Sequence, residues 1–244
     1  MRAASRPYKY LDLLTVAFVT SLLITGTVAS KLFAPVEGMI FNGGALFIPF
    51  TYLCGCILTE VYGYARARRV IWTGFFAAAV MSFGYWAVGR IPAAPTWPYQ
   101  AAYDAILGVV PRIVAASLTA YFLGEFTNSF VLAKMKILTQ GKRLWTRTVG
   151  ATFAGQAVDT VVFVVLAFYG TQAFAVIASL SVSIYLLKVA IEIAATPLVY
   201  QITGFLKETE GEDYFDIGTN FNPFALFPKR REESANRSPQ TSKP

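Results

Sequence analysis

The chain has 244 residues, 55% of them apolar and only 14% charged, with a mean hydropathy of +0.51 and a net charge of +7. A water-soluble domain carries about 25% charged residues, so this composition leaves too little polar surface to coat a globule in water and points to lipid as the solvent. Histidine is absent, and the two cysteines, Cys54 and Cys56, stand two apart in an apolar run. Histidine-based triads, HExxH zinc sites and a disulfide framework are therefore excluded, and no catalytic residue, metal or cofactor is expected.

A helix needs about 20 largely apolar residues to cross the hydrocarbon core. Six stretches qualify: 11–32, 45–64, 70–88, 112–132, 148–169 and 174–200. The first follows Arg2, Arg6 and Lys9 but lacks a small-residue cleavage site before a soluble domain, so it reads as a retained span. The expected fold class is an all-α integral membrane protein with six transmembrane helices. Residues 1–10 form a cytoplasmic arm, 11–204 the membrane domain and 205–244 a largely disordered cytoplasmic tail.

The connections differ in kind. Residues 34–44 (APVEGMIFNGG) are short and glycine-rich, which predicts a turn or small hairpin on the outer side. Residues 90–111 carry four prolines with Trp97 and Tyr99, which predicts a segment lying along the membrane surface. Residues 170–173 are so few that spans 5 and 6 must form an antiparallel hairpin. Seventeen of the 21 lysines and arginines fall in the N-terminal arm, the link between spans 2 and 3, the link between spans 4 and 5, and the tail. That asymmetry places both termini in the cytoplasm. It also accounts for the basic charge without a nucleic-acid partner.

Ionisable groups inside the spans are the informative residues. A carboxylate or ammonium at mid-bilayer costs at least about 2.5–3.5 kcal/mol, so such groups face a partner or a cavity. On span 4, Ser117, Tyr121, Glu125 and Asn128/Ser129 recur along one helical face. On span 5, Gln156, Asp159 and Thr160 share a face, and no cation stands within a turn of Asp159. Span 6 has Lys188 and Glu192 at i,i+4, a pair able to neutralise itself. Glu60, near the inner end of span 2, can pair with Arg66, Arg68 or Arg69; Arg112 and Lys31 can snorkel to the surface.

A pocket offering carboxylates, primary amides and hydroxyls suits a small planar ligand rich in N–H donors. A carboxylate accepts two parallel N–H groups, such as the amidine-like edge of a guanine base, and aromatic faces can stack on its plane. An anion would fit poorly. The chemistry describes a neutral or cationic heteroaromatic and does not name it.

At these residues the chain resembles the queuosine precursor transporter family, bacterial membrane proteins related to the substrate-binding S-components of energy-coupling-factor vitamin transporters. The matching runs are TYLCGCILTEVYGYARARRVIW (51–72), PRIVAASLTAYFLGEFTNSFVLAKMK (111–136), GKRLWTRTVGATFAGQAVDTVVF (141–163) and KVAIEIAATPLVYQITGFLKETEGEDYFD (188–216). Cys56 stands where the family usually has an acidic residue, four before the Glu of its LTE run. The resemblance implies an S-component-like six-helix bundle in the bacterial inner membrane. It further implies import of 7-deazaguanine bases such as preQ0, preQ1 or queuine for tRNA queuosine salvage. By position it carries over Glu60, Arg112, Tyr121, Glu125, Asn128, Gln156, Asp159, Lys188 and Glu192 as candidate substrate-binding residues. Two machines remain open: a stand-alone carrier, as monomer or homodimer, and an S-component served by a separate energising complex.

Overall fold

The computed structural model describes residues 8–138 and 144–211, without the side chains of 125, 129, 132–138, 144–148 and 196. The start of the arm, much of the basic loop between spans 4 and 5 and the tail from 212 lie outside the described residues. The chain runs α1 (Leu11–Val28), β1 (Leu32–Val36), β2 (Met39–Asn42), a 3-10 turn (Gly43–Phe47), α2 (Ile48–Tyr62), α3 (Tyr64–Gly89), α4 (Gln100–Ile106), α5 (Val110–Leu138), α6 (Leu144–Phe168) and α7 (Phe174–Glu210).

Among the described residues six stretches are long and apolar enough to cross a membrane: Leu11–Val28, Gly43–Tyr62, Tyr64–Gly89, Gln100–Asn128, Val149–Phe168 and Phe174–Ala195. Their outward faces carry Phe76, Phe83, Phe126 and Ile193, each more than 60% exposed. Such surfaces would associate in water and are at rest against acyl chains. Many hydroxyls within the helices are satisfied from inside: Thr15, Thr59, Thr73, Ser117, Thr127 and Ser181 each donate to the carbonyl four residues back, at 2.8–3.0 Å. An all-α integral membrane protein is the architecture that results.

Three connections have distinct forms. The glycine-rich link after α1 is a two-stranded hairpin, Leu32 opposite Asn42 and Phe33 opposite Phe41, turning at Gly38 with φ +84°. Ser179 on α7 holds it, donating to the Gly38 carbonyl (2.8 Å) and accepting from the Ile40 N–H (3.2 Å). The proline-rich link forms α4, whose Tyr103 hydroxyl donates to the Tyr85 carbonyl at 2.9 Å. The link between α2 and α3 shrinks to Gly63 alone, whose φ of +82° breaks the helix within one residue. Arg66, Arg68 and Arg69 thus stand on the first turns of α3 and not in a loop.

Helix α7 has 37 residues, about 55 Å at 1.5 Å per residue. That exceeds the roughly 30 Å hydrocarbon core, and its apolar window ends at Ala195, just before Pro197.

Packing separates the described chain into two units. The first gathers the residues up to Leu23, Pro49–Ala77 and those from Glu192 onward. Its core is Phe18, Ile57, Leu58, Val61, Tyr62, Val70 and Leu206. At one end Glu210 accepts from the backbone N–H groups of Lys9 (3.0 Å) and Tyr10 (2.9 Å) and from the Tyr62 hydroxyl (2.9 Å). The end of α7 thereby caps the start of α1, so both ends of the membrane domain meet at one end of this unit. The second unit comprises Ile24–Ile48 and Ala78–Ile191, around a core of Ala29, Ile113, Ala116, Val164, Leu180 and Ile184.

Candidate functional site

Helices α5 and α6 pack extensively against each other, and small residues set how closely. A Cβ added at Gly124 would lie 2.8 Å from the Asp159 Cβ and 3.0 Å from the Gly155 carbonyl oxygen. One added at Gly155 would lie 2.8 Å from the Asn128 Cβ and 2.9 Å from the Gly124 carbonyl oxygen. Each glycine receives the polar residue of the opposite helix, and each precedes its own helix's polar residue by one turn. Antiparallel packing sets Asn128 beside Gly155 and Asp159 beside Gly124, so the amide and the carboxylate lie one helical turn apart in depth. Gln156, half-buried, is one turn before Thr160, whose buried hydroxyl finds no hydrogen-bond partner among the described residues. Tyr121 lies on α5 one turn before Glu125, edge-on to Phe122 at 5.7 Å. The Glu125 backbone belongs to α5, and its side chain lies outside the described residues.

Asp159 sits halfway along the 20-residue window Val149–Phe168. Its cation comes from the next helix: Lys188 Nζ donates to Asp159 Oδ2 across the α6–α7 hairpin. The spacing of Lys188 and Glu192 suggested a pair within one helix; the structure directs Lys188 to Asp159 instead. A lysine is long enough to cross to a neighbouring helix, and the tight turn at Gly170 (φ +79°) brings α7 back along α6. Lys188 and Asp159 are 20% and 29% exposed, so the pair is not sealed.

Other candidates take different places. Arg112 donates Nε to the Leu166 carbonyl at 2.7 Å and Nη2 to the Tyr169 carbonyl. It caps the C-terminal end of α6, where the carbonyls lack helical partners and the helix dipole favours a cation. Glu60 belongs to the first unit and pairs with Lys207 at 2.8 Å, a partner on α7 and not the nearby arginines. Arg66 instead stacks on Tyr8 at 4.8 Å, and Arg68, 3% exposed, on Tyr64 at 5.3 Å. Glu192, also in the first unit, has Tyr52 and Cys56 as neighbours. The nine candidates thus divide: Arg112, Tyr121, Glu125, Asn128, Gln156, Asp159 and Lys188 in the second unit, Glu60 and Glu192 in the first.

A separate cavity of about 390 Å³, lined by Val28, Lys31, Phe33, Gly43, Leu46 and Phe47, opens beside the hairpin. Residues 42–202 match the family described as "putative vitamin uptake transporter". The chain is 30% identical over 145 residues to the "probable queuosine precursor transporter" of Bacillus subtilis, covering 59% of this chain and 63% of that protein. It thus spans less than two thirds of that relative. Against the "queuosine precursor transporter" of Escherichia coli it is 25% identical over 170 residues, covering 69% and 74%. The "probable queuosine precursor transporter" of Haemophilus influenzae is 26% identical over 126 residues, covering 52% and 51%. No solved structure matches the chain. With a family match over most of its length, and six stretches among the described residues long and apolar enough to cross a membrane, the chain belongs to the vitamin uptake transporter family.

Proposed function

We propose that the chain imports queuosine precursors, 7-deazaguanine bases, through a site built on α5, α6 and α7. The observation that carries this reading is the glycine crossing, which sets the Asp159 carboxylate at mid-membrane depth with the Asn128 amide one turn away. Such a group is costly in lipid and persists where it serves a pathway. A carboxylate accepts the two parallel N–H groups of a guanine-type edge, and an amide such as Asn128 or Gln156 meets a ring carbonyl and a ring N–H together. Glu125, one turn after Tyr121 on the same sequence face, is a second acceptor. The names of the relatives point to the same ligand class. Both termini are cytoplasmic in this reading, following the distribution of basic residues.

Uptake of labelled 7-deazaguanine precursors into cells unable to make them tests the reading. Expression of the chain is expected to restore queuosine in tRNA from external precursor. Absence of uptake with normal membrane insertion overturns it. Transport by the purified chain alone in liposomes separates a stand-alone carrier from a subunit that needs an energising complex.

A further inference from the structure

The Asp159 carboxylate is not idle, because Lys188 Nζ holds its Oδ2. The pair bridges α6 and α7 inside the windows Val149–Phe168 and Phe174–Ala195. Its members remain 20% and 29% exposed, and an ion pair at that depth does not turn an open flank to acyl chains. An open flank of this kind calls for water or a polar ligand beside it. A guanine-type edge needs both carboxylate oxygens for its two donors, and one of them now accepts from Lys188. Beside those donors the same base carries a ring carbonyl, an acceptor with nothing to offer a carboxylate and a good match for an ammonium.

We infer that the substrate enters between Asp159 and Lys188, the carboxylate taking the donor edge and the ammonium moving to the adjacent ring carbonyl. Lys188 is then a specificity-determining residue of the site, and this assignment rests on the substrate reading above. Charge stays balanced throughout: the empty site is a closed ion pair, and the filled site is the same pair spread across a neutral base. A lone carboxylate at this depth would need neutralising by other means in the empty state.

Binding to the purified full chain, measured with 7-deazaguanine and its 6-thiocarbonyl counterpart, which keeps both N–H donors of the edge and weakens only the acceptor, tests the assignment. The unmodified chain is expected to favour the carbonyl compound by about three- to tenfold, the scale of one hydrogen bond weakened at a buried donor. Lys188→Gln should reduce that ratio to near one, and Lys188→Arg should keep most of it. If Lys188→Gln does not insert, the neutral pair Asp159→Asn with Lys188→Gln replaces it, with the same loss of discrimination at the ring carbonyl. An unchanged ratio in these variants overturns the role of Lys188 while leaving the substrate class intact. If the unmodified chain binds neither compound, the substrate reading itself fails, and this assignment with it.

Discussion

Gly124 on α5 and Gly155 on α6 face each other closely enough that each backbone carbonyl lies within 3.0 Å of the point where the other's Cβ would stand. In hydrocarbon, apolar side chains gain nothing by leaving lipid for protein, so helix contacts rely on close backbone approach and on polar groups. Here one crossing supplies both, with Asp159 against Gly124 and Asn128 against Gly155.

Alanine at either glycine therefore forces the helices apart. The expected cost is about 1–3 kcal/mol, as for other overpacked contacts, together with reduced uptake as the spacing of Asn128 and Asp159 changes. Thermal unfolding in detergent and uptake per inserted molecule check both parts. Wild-type behaviour of Gly155→Ala would refute the crossing geometry.

Arg112 holds the Leu166 and Tyr169 carbonyls at the end of α6. Arg112→Ala is expected to cost about 0.3–1 kcal/mol, the usual range for a cation at a helix C-terminus. Affinity per folded molecule should hold. A thermal scan and a ligand titration on the same preparation distinguish this from a direct binding role, which would lower affinity at unchanged stability.

Much of the architecture was legible from apolar length alone. A stretch of about 20 apolar residues has few fates other than a span, and the glycines of 34–44 and the brevity of 170–173 forecast tight reversals. What stayed illegible was pairing across helices. Asp159 and Lys188 are 29 residues apart, Arg112 and Leu166 54, and Glu60 and Lys207 147. The sequence offered nearer partners, Glu192 for Lys188 and the arginines of 66–69 for Glu60, and long flexible side chains reached past them. The glycine crossing did leave a trace, a glycine four residues before each of Asn128 and Asp159, which only the second helix turns into a contact.

The Glu210 latch sets a pH expectation. Burial pushes its carboxyl up, but the backbone N–H groups of Lys9 and Tyr10, the Tyr62 hydroxyl and the Lys9 charge outweigh it and hold the carboxyl below its ordinary value. A carboxyl lowered on folding contributes fully above its unfolded value, about 4.3. That contribution is lost as pH falls through the lower folded value. Hydrogen exchange at the Lys9 and Tyr10 amides should stay protected near neutrality and open on acidification below that range. In Glu210→Gln, protection should be weaker at neutral pH and lose this acid dependence.

In the proposed site Asp159 reads the amino-bearing edge of a guanine-type base. The most direct test is the binding preference for 7-deazaguanine over 7-deazahypoxanthine, which lacks the 2-amino group, in the unmodified chain and in Asp159→Asn. The account predicts a preference of at least about tenfold in the unmodified chain, from one unpaired buried acceptor, and its near-complete loss in the variant. An equal preference in both proteins, each correctly inserted, would contradict it.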